Sequence, residues 1–195
     1  MCLFRPDSFL AEYPRITPEC DRWRPMVIDD CTHSFEELAR RVLPIHLERL
    51  QINIATPLSM ADFAERGAGT KTLLKRCRLA EDFSGCYVFL EREKPVYVGI
   101  SRTVFQRLSQ HVKGTSHFDA TLAYRIAESG MHTRESRTKR MANPEFRSLF
   151  NGKKEYLRTL KVAYVEIQNP LELYVFEPYC AMELDTNLWN TFRTH

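Results

Sequence analysis

The spacing of the apolar residues divides the chain near residue 84. Before that point they recur at the three- and four-residue intervals of amphipathic helices, and after it short stretches alternate as strands do. The segment SFEELARRVL opens the helical part with a capping box, in which Glu37 follows Ser34 by three positions. Pro44 is expected to kink or end that helix, because it lacks the N–H that a helix interior needs.

Two shorter helices are predicted next, SMADFAERG capped by Ser59 and TKTLLKRCRL capped by Thr70, with a glycine-containing turn between them. Such a pair occurs in DNA-reading helix-turn-helix motifs, and more often in a packing subdomain or a surface for a protein partner. Residues 1–80 are therefore predicted to form a mainly helical and irregular N-terminal extension. Both interpretations of its role stay open.

From Ser84 the segment SGCYVFLEREKPVYVGIS predicts a β-hairpin with a polar turn between its strands. If the register is simple, Tyr87 and Tyr97 face the same side of the sheet. Gly99 lies on that side too, and it leaves room for another group to approach the sheet. The opposite face is predicted to carry a row of small and aliphatic side chains: Cys86, Val88, Leu90, Val96, Val98 and Ile100.

The rest of the chain is predicted to alternate between helices and one more strand. The helices are SRTVFQRLSQHVKG, ending near Gly114, one from Asp119 to Gly130, one from Asn143 to Gly152, and one opened by Asn169-Pro170. The strand is LKVAYVEI. This order predicts an α+β fold, with a small antiparallel sheet flanked by helices, over residues 84–195.

The composition, 44% hydrophobic and 27% charged, is typical of a globular protein. No apolar run approaches the roughly 20 residues of a membrane helix, and the N-terminus lacks the order of a signal peptide. The six cysteines show no CxxC pair and no Cys/His cluster at ligand spacing, which argues against a zinc site. We expect a cytoplasmic protein with reduced thiols and no membrane partner.

The basic residues are concentrated in one segment. Residues 1–83 hold 12 basic and 13 acidic residues, residues 84–195 hold 16 and 12, and Met131–Arg158 alone holds 8 and 3. A run of this kind, here an insertion at about 131–158, is typical either of a solvated loop or of a surface that contacts nucleic-acid phosphates.

The familiar nucleotide-binding, metalloprotease and esterase motifs are missing from the sequence, which contains no GxxxxGK[ST], GxGxxG, HExxH or GxSxG. What remains is a set of polar residues beside the two tyrosines. Arg107 and His111 are four positions apart on one predicted helix, and Glu177 falls in an apolar stripe where an unpaired charge is costly. One interpretation is structural, with an Arg107–Glu177 ion pair closing the edge of the domain. The other is phosphodiester hydrolysis, which needs a proton acceptor, a cation for the phosphate and a carboxylate for Mg²⁺.

Gly85-Cys86-Tyr87 and Tyr97-Val98-Gly99 resemble the paired motifs that give the GIY-YIG nuclease family its name. Arg107 on the next helix, Glu177 on a later helix and Asn190 in LWNTF match further positions of that family in order. Cys86 stands where the family has an aliphatic residue, and Pro178 beside the acid is unexpected. The resemblance covers about residues 84–195. It implies a metal-dependent DNA endonuclease, with Mg²⁺ or another divalent cation such as Mn²⁺ as cofactor and DNA as partner.

The resemblance also implies a role for each matching residue. Tyr87 would be the general base or orient the water, Tyr97 would line the site, and Arg107 would hold the scissile phosphate. His111 would assist proton transfer, and it is preferred to His117 because it shares a helix face with Arg107. Glu177 would be the one protein ligand of the metal, and Asn190 would be structural or would fix the geometry beside the site.

The nuclease interpretation also predicts which cations contact the DNA backbone: Arg102, Arg134, Arg137, Lys139, Arg140, Lys153 and Lys154. The alternative is a non-catalytic DNA-binding or interaction module on the same fold. A third interpretation makes residues 1–80 an element for specificity or dimerisation, through which a protein partner could bind.

Overall fold

The computed structural model describes residues 27–129, 131 and 135–192. The helices in these residues are α1 (Phe35–Glu37), α2 (Leu43–Ile54), α3 (Met60–Ala64), α4 (Thr70–Arg76), α5 (Val104–Lys113), α6 (Thr121–Glu128), α7 (Arg137–Ala142), α8 (Pro144–Arg158) and α9 (Pro170–Glu183). The strands are β1 (Leu58–Ser59), β2 (Gly85–Glu91), β3 (Lys94–Ser101) and β4 (Lys161–Glu166). None of these helices is long and apolar enough to cross a bilayer.

The strands form one antiparallel sheet in the order β1-β4-β2-β3, with helices on both faces. This confirms the predicted α+β fold with a small antiparallel sheet. The hairpin of β2 and β3 turns at Arg92 and Glu93, whose φ angles of 47° and 69° lie in the left-handed region. Two successive residues of that kind match the right-handed twist of the flanking strands.

The alternation along the hairpin confirms the predicted faces, with one exception. Tyr87 pairs with Gly99 and Phe89 with Tyr97, so both tyrosines lie on one face. The register shifts between Phe89 and Leu90. This bulge places Val96 in the core beside the tyrosines, whereas we expected it on the opposite face with Val98.

Each face of the sheet is covered by its own hydrophobic core. The tyrosine face packs against α3, α4, α5, α6 and α8, through buried side chains such as Phe63, Leu73, Phe105 and Phe150. The opposite face packs against α2 and α9, through Leu47, Phe176 and Cys180 among others. The helices before residue 80 therefore contribute to both cores.

The capping box at the start of α1 is present, with Ser34 and Glu37 bonded to each other's backbone N–H groups. Pro44 does not end this helix. A π-helical turn at Leu38–Val42 precedes it and connects α1 to α2. Such a turn absorbs the local disturbance of the helical hydrogen bonds that a proline causes. Ser59 caps α3 as predicted, whereas α4 has Gly69 as its N-cap and begins at Thr70.

Two predicted helix limits were wrong. Helix α6 begins at Thr121, since the Asp119 carboxylate accepts a hydrogen bond from the Ser116 hydroxyl at 2.7 Å instead of capping the helix. Gly152 does not stop α8, which runs on to Arg158. Buried residues on both sides of Gly152, among them Phe150 and Leu157, hold the helix against the core.

Helix α9 begins at the predicted Asn169 cap and continues through Pro178. The carbonyl that lacks a donor because of this proline belongs to Tyr174, four residues earlier. Tyr174 is 70% exposed, so water can satisfy that carbonyl. Glu177 is thus carried on an uninterrupted helix.

Candidate active site

A buried hydrogen bond joins Tyr87 on β2 to His111 on α5. The Tyr87 hydroxyl lies 2.7 Å from Nε2 of His111, and neither side chain is more than 1% exposed. The pair forms because Tyr87 points to the tyrosine face and His111 lies on the inner side of the helix that covers that face. His111 also contacts the rings of Phe89 and Tyr97.

Gly99 makes the space that Tyr87 occupies. It is the cross-strand partner of Tyr87, and a β-carbon at Gly99 would stand 2.5 Å from the phenolic oxygen. The sequence predicted that Gly99 leaves room for a group approaching the sheet. That group is the Tyr87 side chain, which folds across the sheet towards His111.

Burial sets the protonation of this pair. It raises the pKa of Tyr87 well above its ordinary value, and the charge of Arg107 opposes that rise. Burial, together with the charge of Arg107, lowers the pKa of His111 well below its ordinary value. Both groups are therefore neutral near pH 7, and the imidazole can accept the hydrogen bond of the phenol.

Arg107 connects α5 to the start of α6. Its guanidinium donates to the carbonyl of Asp119 at 2.8 Å, to the Thr121 hydroxyl at 2.6 Å and to the side chain of Gln110 at 3.3 Å. A guanidinium has five N–H groups, so these three bonds leave two, and Arg107 also lowers the pKa of Tyr87 through a side-chain hydrogen bond. The N–H group that is left can donate to a phosphate oxygen.

Glu177 on α9 is half-buried, and its carboxylate makes no hydrogen bond or ion pair with another described residue. Burial raises its pKa, and the charge of Arg125 opposes the rise. The charge of Glu177 in turn raises the pKa of Tyr97, after burial itself. The Arg107–Glu177 ion pair of the structural interpretation is not formed between these two described side chains.

Arg125 is the residue of this cluster that the sequence analysis missed. It lies on α6, one turn after Thr121, and its guanidinium donates to the Thr191 hydroxyl at 2.6 Å. Its positive charge acts on Glu177 and on Tyr97. The available signal was a single cation inside the apolar run LAYRIA, which parallels the position of Glu177 in its own stripe.

Asn190 holds the free edge of the sheet. Its side-chain oxygen accepts from the backbone N–H of Val98, and its amide nitrogen donates to the Val98 carbonyl, both at 2.8 Å. Because β3 is an edge strand, this amide replaces the missing neighbouring strand at one residue. The contact fixes the backbone next to Tyr97.

His117 lies elsewhere in the structure. Its ring contacts Phe118 and Tyr124, at centroid distances of 4.1 Å and 5.6 Å. His111 is the histidine that contacts Tyr87.

The residues at the site fit a hydrated divalent cation. No group of three His, Cys, Asp or Glu side chains in the described residues could hold a metal by itself. A half-buried carboxylate without a protein partner suits Mg²⁺, which keeps several water ligands and is often bound through one or two carboxylates plus substrate phosphates. Glu177 is the side chain that would hold it.

The predicted DNA-contacting cations differ in exposure. Arg102, Arg137 and Lys139 are exposed and Lys153 is half-buried, whereas Arg134 lies outside the described residues. Arg140 is buried and pairs with Glu128, and buried Lys154 donates to the carbonyl of Gly114 at 2.8 Å. Arg140 and Lys154 therefore stabilise the fold and are not exposed to a ligand.

Comparison of the chain with protein-family models, with curated proteins and with solved structures finds no match.

Proposed function

We propose that this protein is a metal-dependent DNA endonuclease of the GIY-YIG type. The observation that carries the proposal is the 2.7 Å hydrogen bond between Tyr87 and a neutral, buried His111. The charges of Arg107 and Glu177 act on the same pair of tyrosines. The proposal combines a proton acceptor and a phosphate-binding cation on the tyrosine face with a metal-binding carboxylate on α9, whose charge acts on both tyrosines.

The Tyr87 oxygen is the group that takes the proton of the attacking water. Because the phenol O–H donates to His111, the oxygen can accept a proton while the imidazole takes the phenolic one. His111 receives the phenolic proton in the same movement. Nδ1 of His111 is buried without a partner among the described residues, so the protonated ring is costly and returns its proton readily.

Arg107 holds the scissile phosphate, and its bonds to Asp119 and Thr121 keep the guanidinium in place. The charge of Arg125 favours the ionised form of Glu177 and opposes the effect of burial on its pKa. When bound at Glu177, Mg²⁺ or Mn²⁺ supplies positive charge for the phosphate and the leaving oxygen. Tyr97 closes the wall of the site beside Tyr87, at a ring distance of 6.3 Å.

One observation favours the second candidate, a non-catalytic DNA-binding or interaction module. Tyr87 is 1% exposed and its hydroxyl is already bonded, as expected of a polar pair that only stabilises a core. The unpaired carboxylate of Glu177 argues against this candidate, because a core without turnover gains nothing from desolvating it.

DNA is the proposed partner, and the cytoplasm is the proposed location. Four cysteines in the described residues, Cys31, Cys77, Cys86 and Cys180, are free thiols. Free and mostly buried thiols are typical of a reducing compartment.

The test is nicking or linearisation of supercoiled plasmid in Mg²⁺, with an EDTA control. Glu177→Gln should abolish cleavage, while Glu183→Gln, which changes an exposed carboxylate at the end of the same helix, should not. Cleavage that persists in Glu177→Gln would reject the assigned metal ligand. If the wild type bound DNA without cleaving it, the result would support the non-catalytic DNA-binding module.

A further inference from the structure

Helix α4 carries a cluster of positive charge that the proposed catalytic site does not use. Residues 70–80, TKTLLKRCRLA, contain four basic and no acidic residues. Three of the four, Lys71, Lys75 and Arg78, line one surface cleft of about 540 Å³ together with Leu74, Leu79 and Ala80. We name these three the α4 cations.

The α4 cations have no anionic partner in the described part of the chain. Their side chains are exposed and make no hydrogen bond or ion pair with another described residue, whereas Arg76 of the same helix pairs with Glu65. The helix itself is held in place, because Leu73 and Leu74 are buried against the core of the tyrosine face. The charges therefore sit on a fixed surface.

The helix cap at the end of α4 sets the backbone conformation of Arg78, the third of these cations. Arg78 has φ 60°, a left-handed conformation that favours glycine, and the next residue, Leu79, donates its N–H to the carbonyl of Leu74 at 2.9 Å. This is the hydrogen bond of a Schellman cap. Its αL residue carries a long cationic side chain here, beside Lys71 and Lys75 in the cleft.

The cations of the 131–158 segment behave differently. Lys154 and Arg158 donate to the carbonyls of Gly114 and Val112 at the end of α5, and Arg147 donates to the carbonyl of Met141. Arg140 is buried beside Glu128. Several cations of the 131–158 segment thus form contacts within the fold. The side chains of the α4 cations form none with other described residues and can bind a ligand.

Helix α4 packs on α5, the helix that carries Arg107 and His111, and Lys113 near the end of α5 donates to the carbonyl of Ala68 just before α4. Packed helices lie about 8–10 Å apart, and the major groove of DNA is about 12 Å wide. Helix α4 therefore lies within one groove width of the helix that carries Arg107.

We propose that Lys71, Lys75 and Arg78 form a binding surface for the phosphate backbone of duplex DNA, outside the region that resembles the nuclease family. The inference rests on the proposed function for its class of ligand, but not on the chemistry of the site. Backbone contacts of this kind give affinity and position the duplex without reading its sequence.

The experiment measures binding of a short fluorescent duplex by anisotropy, in EDTA and over a series of NaCl concentrations. The triple variant K71Q/K75Q/R78Q should bind roughly tenfold or more weakly at low salt, and the slope of log K against log salt should fall by about 2 to 3. The charge-conserving variant K71R/K75R/R78K should keep the wild-type slope. The matched control R40Q/R41Q/R49Q removes three exposed cations from the π-helical turn and α2, on the opposite face of the sheet, and should also keep it.

Thermal unfolding of each variant is measured beside binding, and a triple variant with the wild-type Tm and wild-type slope overturns the inference. A slope lost equally in the α2 control also overturns it, because the effect would then be one of net charge. Polyglutamate that competes as well as DNA at equal charge would indicate an acidic protein partner and reject DNA as the ligand. If the slope depends on the α4 cations while the wild type cuts no plasmid, the proposed nuclease fails and the DNA surface stands. If plasmid is cut with an unchanged slope, the nuclease stands and the surface fails.

Discussion

Gly99 and Tyr87 lie opposite each other in the β2–β3 ladder, and the phenolic oxygen occupies the space of the missing β-carbon. The close approach joins two short sequence motifs into one packing unit. The position of the hydroxyl, and through it the bond to His111, depends on residue 99 having no side chain.

Gly99→Ala should therefore destabilise the protein. The added carbon would stand 2.5 Å from the Tyr87 oxygen inside a packed core, and such overpacking costs about 1–3 kcal/mol. Thermal unfolding should show a Tm lowered by roughly 2–4 °C per kcal/mol. The control is Gly152→Ala in α8, where a β-carbon meets nothing within 4 Å. It should raise the Tm slightly, and equal losses in both variants would contradict this explanation.

Tyr87→Phe should reduce plasmid cleavage by about 10²–10⁴-fold, the usual contribution of a general base. It also leaves Nε2 of His111 without its partner, so the free energy of unfolding should fall by about 1–3 kcal/mol. Tyr174→Phe removes a hydroxyl from an exposed tyrosine and serves as the control for both measurements. Full cleavage by Tyr87→Phe would exclude the phenol from proton transfer.

The stability of the protein should fall as the pH drops below about 6.5, because unfolded His111 takes up a proton there and the buried ring does not. His111→Gln should remove this part of the pH dependence, which amounts to at most about 1.4 kcal/mol per pH unit. Glu177→Gln should act with the opposite sign. The raised pKa of Glu177 favours the folded state below the unfolded value of 4.5 and destabilises it as the pH rises through the folded value. Urea unfolding between pH 4 and 8 would show both effects. If the free energy of unfolding of His111→Gln depended on pH as it does in the wild type, the first effect would be contradicted.

Arg125→Gln should move the acidic limb of the cleavage pH profile to higher pH, because Glu177 loses the charge that opposes its protonation. The Mg²⁺ concentration for half-maximal rate should rise as well. Arg125→Lys should restore part of both effects, and Arg49→Gln on α2 should show neither. A lower rate with an unchanged pH profile would show that Arg125 acts only through its hydrogen bond to Thr191.

Asn190→Ala should loosen the edge of the sheet, since the N–H and the carbonyl of Val98 both lose their partner. Hydrogen exchange at the Val98 amide should accelerate, and the free energy of unfolding should fall by about 1–3 kcal/mol. Asn190→Asp keeps the acceptor and loses the donor, so it should protect the Val98 amide better than alanine does. Unchanged exchange in both variants would show that the edge does not need this side chain.

The sequence predicted what depends on local pattern. Alternation placed Tyr87 and Tyr97 on one face, and the four-residue spacing placed Arg107 and His111 on one helix, because both are properties of consecutive residues. The hydrogen-bond partner of a side chain, in contrast, is not determined by the residues next to it in the sequence. The donation from Lys154 to Gly114 joins positions 40 residues apart, so a count of charges along the chain could not show that this cation is buried.

The same limit explains the missed and misplaced features. Arg125 joins the cluster through its bond to Thr191 in the C-terminal segment and through its charge, which acts on Glu177, and no motif marks that contact. The bulge at Val96 follows from a register shift between two strands, and the sequence of one strand does not determine it. Gly152 was expected to stop α8, but the apolar residues on both sides of it gain more from packing than one glycine costs, about 1 kcal/mol.

The helices before residue 80 cover both faces of the sheet, and this determines whether the chain can be truncated. Leu47 and Leu50 of α2 lie against one face, and Phe63 and Leu73 of α3 and α4 lie in the core of the other. A truncated chain that starts at residue 81 would leave apolar surface open to water on both sides at once. Residues 81–195 therefore do not form an independently folding domain. We expect the protein to unfold in a single cooperative transition, and a chimaera joined at residue 80 to be insoluble.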